Sequence, residues 1–415
     1  MVVFRKVLIL VRTFFMSMKN IILFDSDSRE HLLPLTYTRP VAELRVGILT
    51  IREKWEKSLR GLASHITQDY LAEKYPIYIG QENYVINGAV LPDAQLCRRI
   101  GQLKFNQAIL KNGELIAAKL AEGQFEELIS DQEIEELEGF ELEDTPIYQI
   151  QNLWDLFTLN DYAIRQDFAL LTDLRESQPL SETNRVTNAA DIFIEPGAVV
   201  EHAIINAATG PVYIGKDAVV MEGAMIRGPF SLGEKSEVKM GSKIYGATTI
   251  GPGCKAGGEI KNAIMQANAN KAHEGYLGNS VIGEWCNIGA DTNTSNLKNN
   301  YEEIKLWNEP KKRFVRTGQQ FLGLIMGDHS KCGINTMFNT GTVVGVSANI
   351  FGSGYPRNFI PSFSWGGVSG ISTYQFDKAA DTIRRVLARR DMILSEEEQA
   401  IYQYVFDLTA SQRPA

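Results

Sequence analysis

The chain has 415 residues, 44% of them hydrophobic and 22% charged, and a formal net charge of −8. That length exceeds one typical domain, and that composition excludes a low-complexity or collagen-like polymer. The acidic balance argues against a general nucleic-acid binder but is compatible with a local basic pocket for phosphates.

The first seventeen residues, MVVFRKVLILVRTFFMS, are basic and apolar. Arg12 interrupts the apolar run and no A-x-A site follows, so residues 1–17 are expected to be an extended start rather than a leader. No stretch reaches the length of a membrane span, and no membrane partner is expected. An α/β domain is expected over 18–150. It opens with a buried strand at 20–24 and runs into the polar loop Asp25–Pro40, where parallel sheets place ligands. The pattern then predicts a helix over 48–60, a strand over Ile77–Ile79 and a hairpin over 107–118 turning at Asn112-Gly113. The acidic run Glu126–Glu143 reads as a solvated helix. Helical periodicity from Trp154 to about Arg175 and the polar segment Ser177–Thr187 make 151–188 a helical linker.

From about 190 a period of six takes over. Ile214, Val220, Ile226, Leu232, Val238, Ile244 and Ile250 are spaced by six, the beat returns at Ile282 and Ile288, and it runs again from Met326 through Cys332, Phe338 and Val344 to Ile350. Hexapeptide repeats of a parallel β-helix have that period, with one inward aliphatic residue per strand. The hexapeptide version winds left-handed, an exception to the usual crossover rule. Gly215, Gly233, Gly251, Gly283, Gly289, Gly327 and Gly345 follow inward residues, where a bend with positive φ suits glycine. The β-helix is assigned to 189–370, with interruptions at 257–281 and 299–323. Loops ejected from a strict solenoid are where function is expected. Residues 371–415 read as helices, Phe376–Arg390 and Ser395–Leu408, the second opened by a capping box, and are expected to close the open end of the prism.

The four cysteines, Cys97, Cys254, Cys286 and Cys332, show no C-x-x-C spacing. Cys332 falls on an inward beat, so it reads as a small hydrophobe in a reducing cytoplasm. His273, in the first interruption, is of a type that serves as a general base near neutral pH. It lies in Lys271-Ala-His273-Glu-Gly-Tyr276-Leu-Gly278, followed by Asn287-Ile-Gly-Ala290 and Asn296-Leu-Lys298. This pattern resembles the acetyltransferase domain of the bifunctional UDP-N-acetylglucosamine pyrophosphorylase/glucosamine-1-phosphate N-acetyltransferases. Their loop reads K-A-G-H-x-x-Y-x-G and precedes an N-I-G-A segment. Arg316-Thr-Gly318 and Gly327-Asp-His-Ser-Lys-Cys-Gly-Ile-Asn335 resemble one branch of that family.

The resemblance implies acetyl-CoA as co-substrate and His273 as the base that deprotonates the amino group of a hexosamine 1-phosphate. It implies Asn296 as the partner of that histidine and the Ala290 N–H as the oxyanion donor. Tyr276, Lys261 and Asn287 resemble the sugar and phosphate contacts, with Lys243 near the second phosphate-binding cation. Lys298 and Lys305 are both candidates for a lysine supplied across a subunit boundary, and a homotrimer is expected. Alternatively, Asn287 and Asn296 form asparagine ladders along the solenoid.

The N-terminal loop is similar to the sugar-1-phosphate nucleotidyltransferase signature G-x-G-T-R-x-x-P-L-T followed by P-K. Pro34-Leu-Thr36 and Arg39-Pro40 match it, whereas Ser26, Asp27 and Ser28 replace phosphate-cradling glycines and Val41 replaces the lysine. By position Asp25, Ser28, Arg29 and Arg39 are the nucleotide-binding candidates, Asp25 is the Mg²⁺ candidate, and UTP or dTTP is the nucleotide. Two other classes stay open. One is a non-catalytic sugar-nucleotide sensor or scaffold. The other is a metal hydratase like the γ-carbonic anhydrases, whose three zinc histidines would have to come from His202, His273 and His329.

Overall fold

The computed structural model describes residues 18–129, 137–143 and 145–414. The expected extended start at 1–17 and much of the acidic run at 126–143 lie outside them. The first domain is a six-stranded mixed sheet in the order β2-β1-β3-β5-β4-β6. Its strands are β1 Lys19–Phe24, β2 Gly61–Ile66, β3 Glu82–Asn87, β4 Gln107–Lys111, β5 Glu114–Ala121 and β6 Glu138–Glu141. β1 runs parallel to both β2 and β3, and β4 and β5 form the expected hairpin. Asn112 and Gly113 both take positive φ there, as a two-residue turn that follows strand twist requires. Two expectations are corrected. Residues 77–79 are not a strand, the strand lying instead at Glu82–Asn87, and the end of the acidic run supplies β6 rather than a helix turn.

Beyond residue 185, three sheets, parallel throughout except for the final antiparallel strand Gly370–Thr373, wind into the expected left-handed β-helix. Face A has six strands from Arg185–Thr187 to Tyr276–Gly278, face B nine from Ile192–Ile194 to Phe359–Ile360, and face C ten from Val199–Val200 to Gly370–Thr373. The hexad residues Ile214, Leu232, Val238 and Ile250 are fully buried in one continuous core.

The glycines after the inward residues have a different cause from the one expected. None of the seven takes positive φ. A Cβ on Gly251 would stand 1.7 Å from the Gln266 carbonyl oxygen, and one on Gly215 2.7 Å from the Glu234 nitrogen. They are needed because stacked coils approach closely there. The left-handed residue comes two positions later in every case, at Asp217, Lys235, Gly253, Trp285, Asp291, His329 and Ser347.

The first interruption is not ejected. Thr248 pairs with Phe230, eighteen residues earlier, but Ile264 pairs with Thr249, only fifteen earlier, so the coils shorten at their bends and stay in register. The second interruption does leave the prism, as an antiparallel hairpin of Lys305–Asn308 and Arg313–Arg316.

The two parts share one core. Ile264, Val281, Ile325 and Val343 form an outward-facing file in register on face B. They are buried in the same cluster as Ile21, Leu23, Trp55, Ile86 and Leu156 of the first domain. The helix Asn160–Thr172 pins the contact. Asn160 accepts from Gly47 N–H (2.7 Å) and Thr249 Oγ1 (3.1 Å) and donates to the Ala247 carbonyl (2.9 Å). Asp167 accepts from the backbone of Ile48 and Leu49 and pairs with buried Lys54. The C-terminal helices Phe376–Ala388 and Glu396–Leu408 do not close the end of the prism. They cover the corner between faces B and C over Trp285, Val346 and Phe363, and Tyr404 stacks on Tyr70 of the first domain.

Candidate active site

Face A carries two outward columns at its last coils. Lys243, Glu259 and Tyr276 stand in register, and two residues along stand Tyr245, Lys261 and Gly278. The residues between them, Ile244, Ile260 and Leu277, point into the core. The Tyr245 hydroxyl donates to Glu259 at 2.5 Å, and that carboxylate, with burial, pushes the phenol up to about 12. Lys261 Nζ lies 5.8 Å from the Tyr245 ring centroid and 5.7 Å from that of Phe321. Ring faces hold the cation without neutralising it, so it stays available to an anion. Phe321 belongs to the segment by which the second excursion returns.

Asn296 Nδ2 donates both to the Tyr276 hydroxyl (3.0 Å) and to Asn279 Oδ1 (2.8 Å). Asn293 Oδ1 accepts from the Tyr276 N–H at 2.8 Å. Burial raises the Tyr276 phenol above its ordinary range. A Cβ on Gly278 would lie 2.4 Å from the Tyr276 oxygen and 2.7 Å from Asn296 Nδ2, so the neighbouring strand position must be glycine.

His273 is exposed on the turn that leads from face C to face A. Lys243 Nζ stands 3.9 Å from the carboxylate of its neighbour Glu274. No hydrogen bond joins His273 to Asn296 among the described residues. Ala290 lies on the corner of the following coil, where its carbonyl accepts from Asn335 N–H at 2.8 Å. Asn287 lies on face C and accepts from Asn270 Nδ2 at 2.7 Å, so both asparagines sit in amide–amide pairs as well as near the turn. Lys298 and Lys305 belong to the excursion. Lys298 Nζ donates to the Glu303 carbonyl (3.2 Å), and Lys305 is exposed opposite Arg316.

The N-terminal loop is built differently. Asp25 Oδ1 accepts from Val41 N–H (2.8 Å), and its Oδ2 accepts from Thr67 Oγ1 (2.6 Å) and faces Arg29 Nε (3.4 Å). Burial raises its carboxyl against those donors. Arg29 donates to the Thr36 carbonyl and the Tyr70 hydroxyl, both at 2.7 Å. Ser28 is buried against Ser26 (2.9 Å). Arg39 is ion-paired with Glu284 and Asp328 of the solenoid, and Thr38 Oγ1 donates to Asp328 at 2.6 Å. With both Asp25 oxygens engaged by protein donors and both arginines buried in protein contacts, this donor set does not fit a Mg²⁺–triphosphate.

His329 is buried against Trp285 and Tyr402 and His202 occupies a bend; no described His, Cys, Asp or Glu residues gather into a metal-holding group. Several site residues escaped sequence reasoning. Asp328 was visible only as part of the G-D-x-x-K segment, without its partner. Lys271 had a usable signal, since it falls six residues after inward Met265 and six before inward Leu277.

Residues 21–176 match the model of a family described as sugar nucleotidyl transferase. The chain is 40% identical over 87 residues to the bifunctional protein GlmU of Methanocaldococcus jannaschii, covering 21% of each chain. It is 33% identical over 93 residues to the bifunctional sugar-1-phosphate nucleotidylyltransferase/acetyltransferase of Sulfurisphaera tokodaii, covering 22% of this chain and 23% of that one. Over those segments the chain is similar to the GlmU proteins. It also shares 26% identity over 148 residues with YaiX of Escherichia coli K12, a putative uncharacterized acetyltransferase, covering 35% of this chain and 64% of that one. The chain spans about a fifth of the length of the two bifunctional relatives.

Proposed function

We propose that the solenoid of this chain is an acetyl-CoA-dependent N-acetyltransferase acting on a hexosamine 1-phosphate, with glucosamine 1-phosphate as the leading substrate. The observation that carries the reading is the convergence of Lys243, Lys261 and Tyr276 on one face beside the exposed His273. Two cations on one sheet suit a sugar phosphate, and a phenol held by Asn296 suits a sugar hydroxyl. His273 takes a proton from the substrate amine. The amine nitrogen then forms a bond to the thioester carbonyl carbon, the carbonyl reforms, the C–S bond breaks, and the CoA thiolate leaves and takes up a proton. The Ala290 N–H is assigned to the transient oxyanion, which gains most from a fixed dipole. Asn287 is assigned to a sugar or phosphate contact. The working form is a cytoplasmic homotrimer in which a neighbour's Lys298 or Lys305 completes the site.

For the first domain, a scaffold reading is favoured over nucleotidyl transfer by the engagement of Asp25, Arg29 and Arg39. The test is release of free CoA thiol with glucosamine or galactosamine 1-phosphate, followed by pyrophosphate release on adding UTP or dTTP with Mg²⁺. Thiol release with neither sugar would overturn the acetyltransferase reading, and fast pyrophosphate release would overturn the scaffold reading.

A further inference from the structure

The turn that carries His273 is held from outside by one backbone bond to each neighbouring coil, Asp291 N–H donating to the Glu274 carbonyl (3.0 Å) and Glu259 N–H to the Gly275 carbonyl (3.3 Å). His273 and Glu274 are exposed, Gly275 takes φ +114, and no side chain of residues 272–275 caps the turn. It lies against the turn of the preceding coil at the limit of contact. A Cβ on Gly257 would stand 2.0 Å from the Ala272 oxygen, and one on Gly258 2.8 Å from the Gly275 oxygen.

A second tie between the two turns comes from inside the prism. Lys271 occupies an inward hexad position, in register with core residues Ala256 and Ile288 of the flanking coils, and is 2% exposed. Its Nζ donates to the carbonyls of Gly257 (3.0 Å), His273 (2.8 Å) and Glu274 (3.5 Å). An ammonium has three donors, and these carbonyls face all three, the Glu274 oxygen at the limit of hydrogen-bond distance while it also accepts from Asp291 N–H (3.0 Å).

We propose that Lys271 is the positioning residue of the His273 turn, its ammonium tying the carbonyls of Gly257, His273 and Glu274 into one fixed corner. This rests on the acetyltransferase reading for its consequence in rate, but the tie itself is a matter of geometry. An aliphatic residue would fill the inward position at no cost in desolvation, as Met265 and Leu277 do on either side. A buried cation with no carboxylate on it is unfavourable, and its retention points to work at the surface above it. A base on an untied turn samples geometries in which it misses the amine, and displacements of about 1 Å cost on the order of 10²-fold in rate.

Burial lowers the Lys271 ammonium to about 8. The titratable groups facing it are Glu274 on its own turn and Asp291 and Cys332 on the following coils. As pH rises through that value the tie loses its charge and one of its three donors.

The experiment compares Lys271→Met, His273→Ala and the parent full-length chain by acetyl transfer and by amide hydrogen exchange over residues 272–276. Lys271→Met is expected to melt cooperatively, to bind acetyl-CoA with less than about a twofold change, and to lose kcat by roughly 10- to 100-fold. Exchange over 272–276 is expected to rise in it at pH 7. If His273→Ala is inactive while Lys271→Met keeps full kcat and parental exchange, the positioning role is overturned and the acetyltransferase reading stands. If His273→Ala is fully active, that reading falls, and raised exchange in Lys271→Met still supports the tie. Should Lys271→Met fail to fold, the parent chain decides. Its protection over 272–276, corrected for the intrinsic pH dependence of exchange, is expected to fall between pH 7 and 9, and a flat profile would overturn the proposal.

Discussion

Arg39 and Asp328 form a buried ion pair that fastens the N-terminal loop to the solenoid across 289 residues of chain. Both side chains are almost fully buried, and Glu284 adds a second carboxylate to the same guanidinium. Breaking such a pair from one side leaves an uncompensated charge in a dry site, which costs about 3–5 kcal/mol. Arg39→Ala should therefore lower stability by that amount in urea denaturation, with little dependence on salt. A loss under about 1 kcal/mol would mean that solvent reaches the junction.

His273→Ala should reduce acetyl transfer by about 10²–10⁴-fold, the usual contribution of a general base, without lowering the Tm. The side chain is exposed and no packing depends on it. Tyr276→Phe should have the opposite profile. It removes the acceptor for Asn296 Nδ2, so it should raise the KM for the sugar phosphate and cost about 1 kcal/mol of stability. Steady-state kinetics and a thermal melt on both variants separate the two roles.

His329 gives the chain a pH dependence of known sign. Burial, with Lys331, Arg39 and Lys74 nearby, holds its imidazole well below the ordinary value of 6.5, and its Nδ1 has no hydrogen-bond partner. The folded state keeps it neutral while the unfolded chain takes up a proton below 6.5. Stability should thus be lost as pH falls from 6.5, with a slope approaching about 1.4 kcal/mol per pH unit from this residue. His329→Asn, which tolerates the left-handed backbone, should flatten the slope between pH 6.5 and 5 whatever it does to absolute stability. Equal slopes in the two proteins would show that the site is wet.

The stacking glycines allow a paired comparison. Gly251→Ala places a methyl 1.7 Å from a backbone oxygen of the next coil and should prevent the coils from closing. Gly123→Ala meets nothing within 4 Å in the helix Glu122–Ile129 and should stabilise by about 0.4–1 kcal/mol. Expression and thermal melts of the two variants check both signs.

The solenoid was legible because one inward residue per hexad leaves a period that composition cannot imitate. The same period marks Lys271 as inward, but what a lysine does there shows only in the carbonyls around it. The glycines are visible in the sequence but their cause is not, since their constraint comes from the neighbouring coil while the left-handed backbone lies two residues on, at positions such as Asp217 and Trp285. Arg29 and Arg39 read as phosphate ligands because sequence shows a cation but not its partner. Lys243, Lys261 and Tyr276 gather on one face because coils of nearly constant length bring equivalent positions into register.

The file Ile264, Val281, Ile325 and Val343 has a consequence for biosynthesis. These residues complete the core around Trp55 and Leu156, so the first domain leaves the ribosome without the surface that seals it. It has to wait, with that apolar face open, until the coils beyond residue 340 have been made. During that interval the nascent chain is a natural client for holding chaperones. Cutting it at residue 180 should yield a fragment that aggregates rather than an independent enzyme.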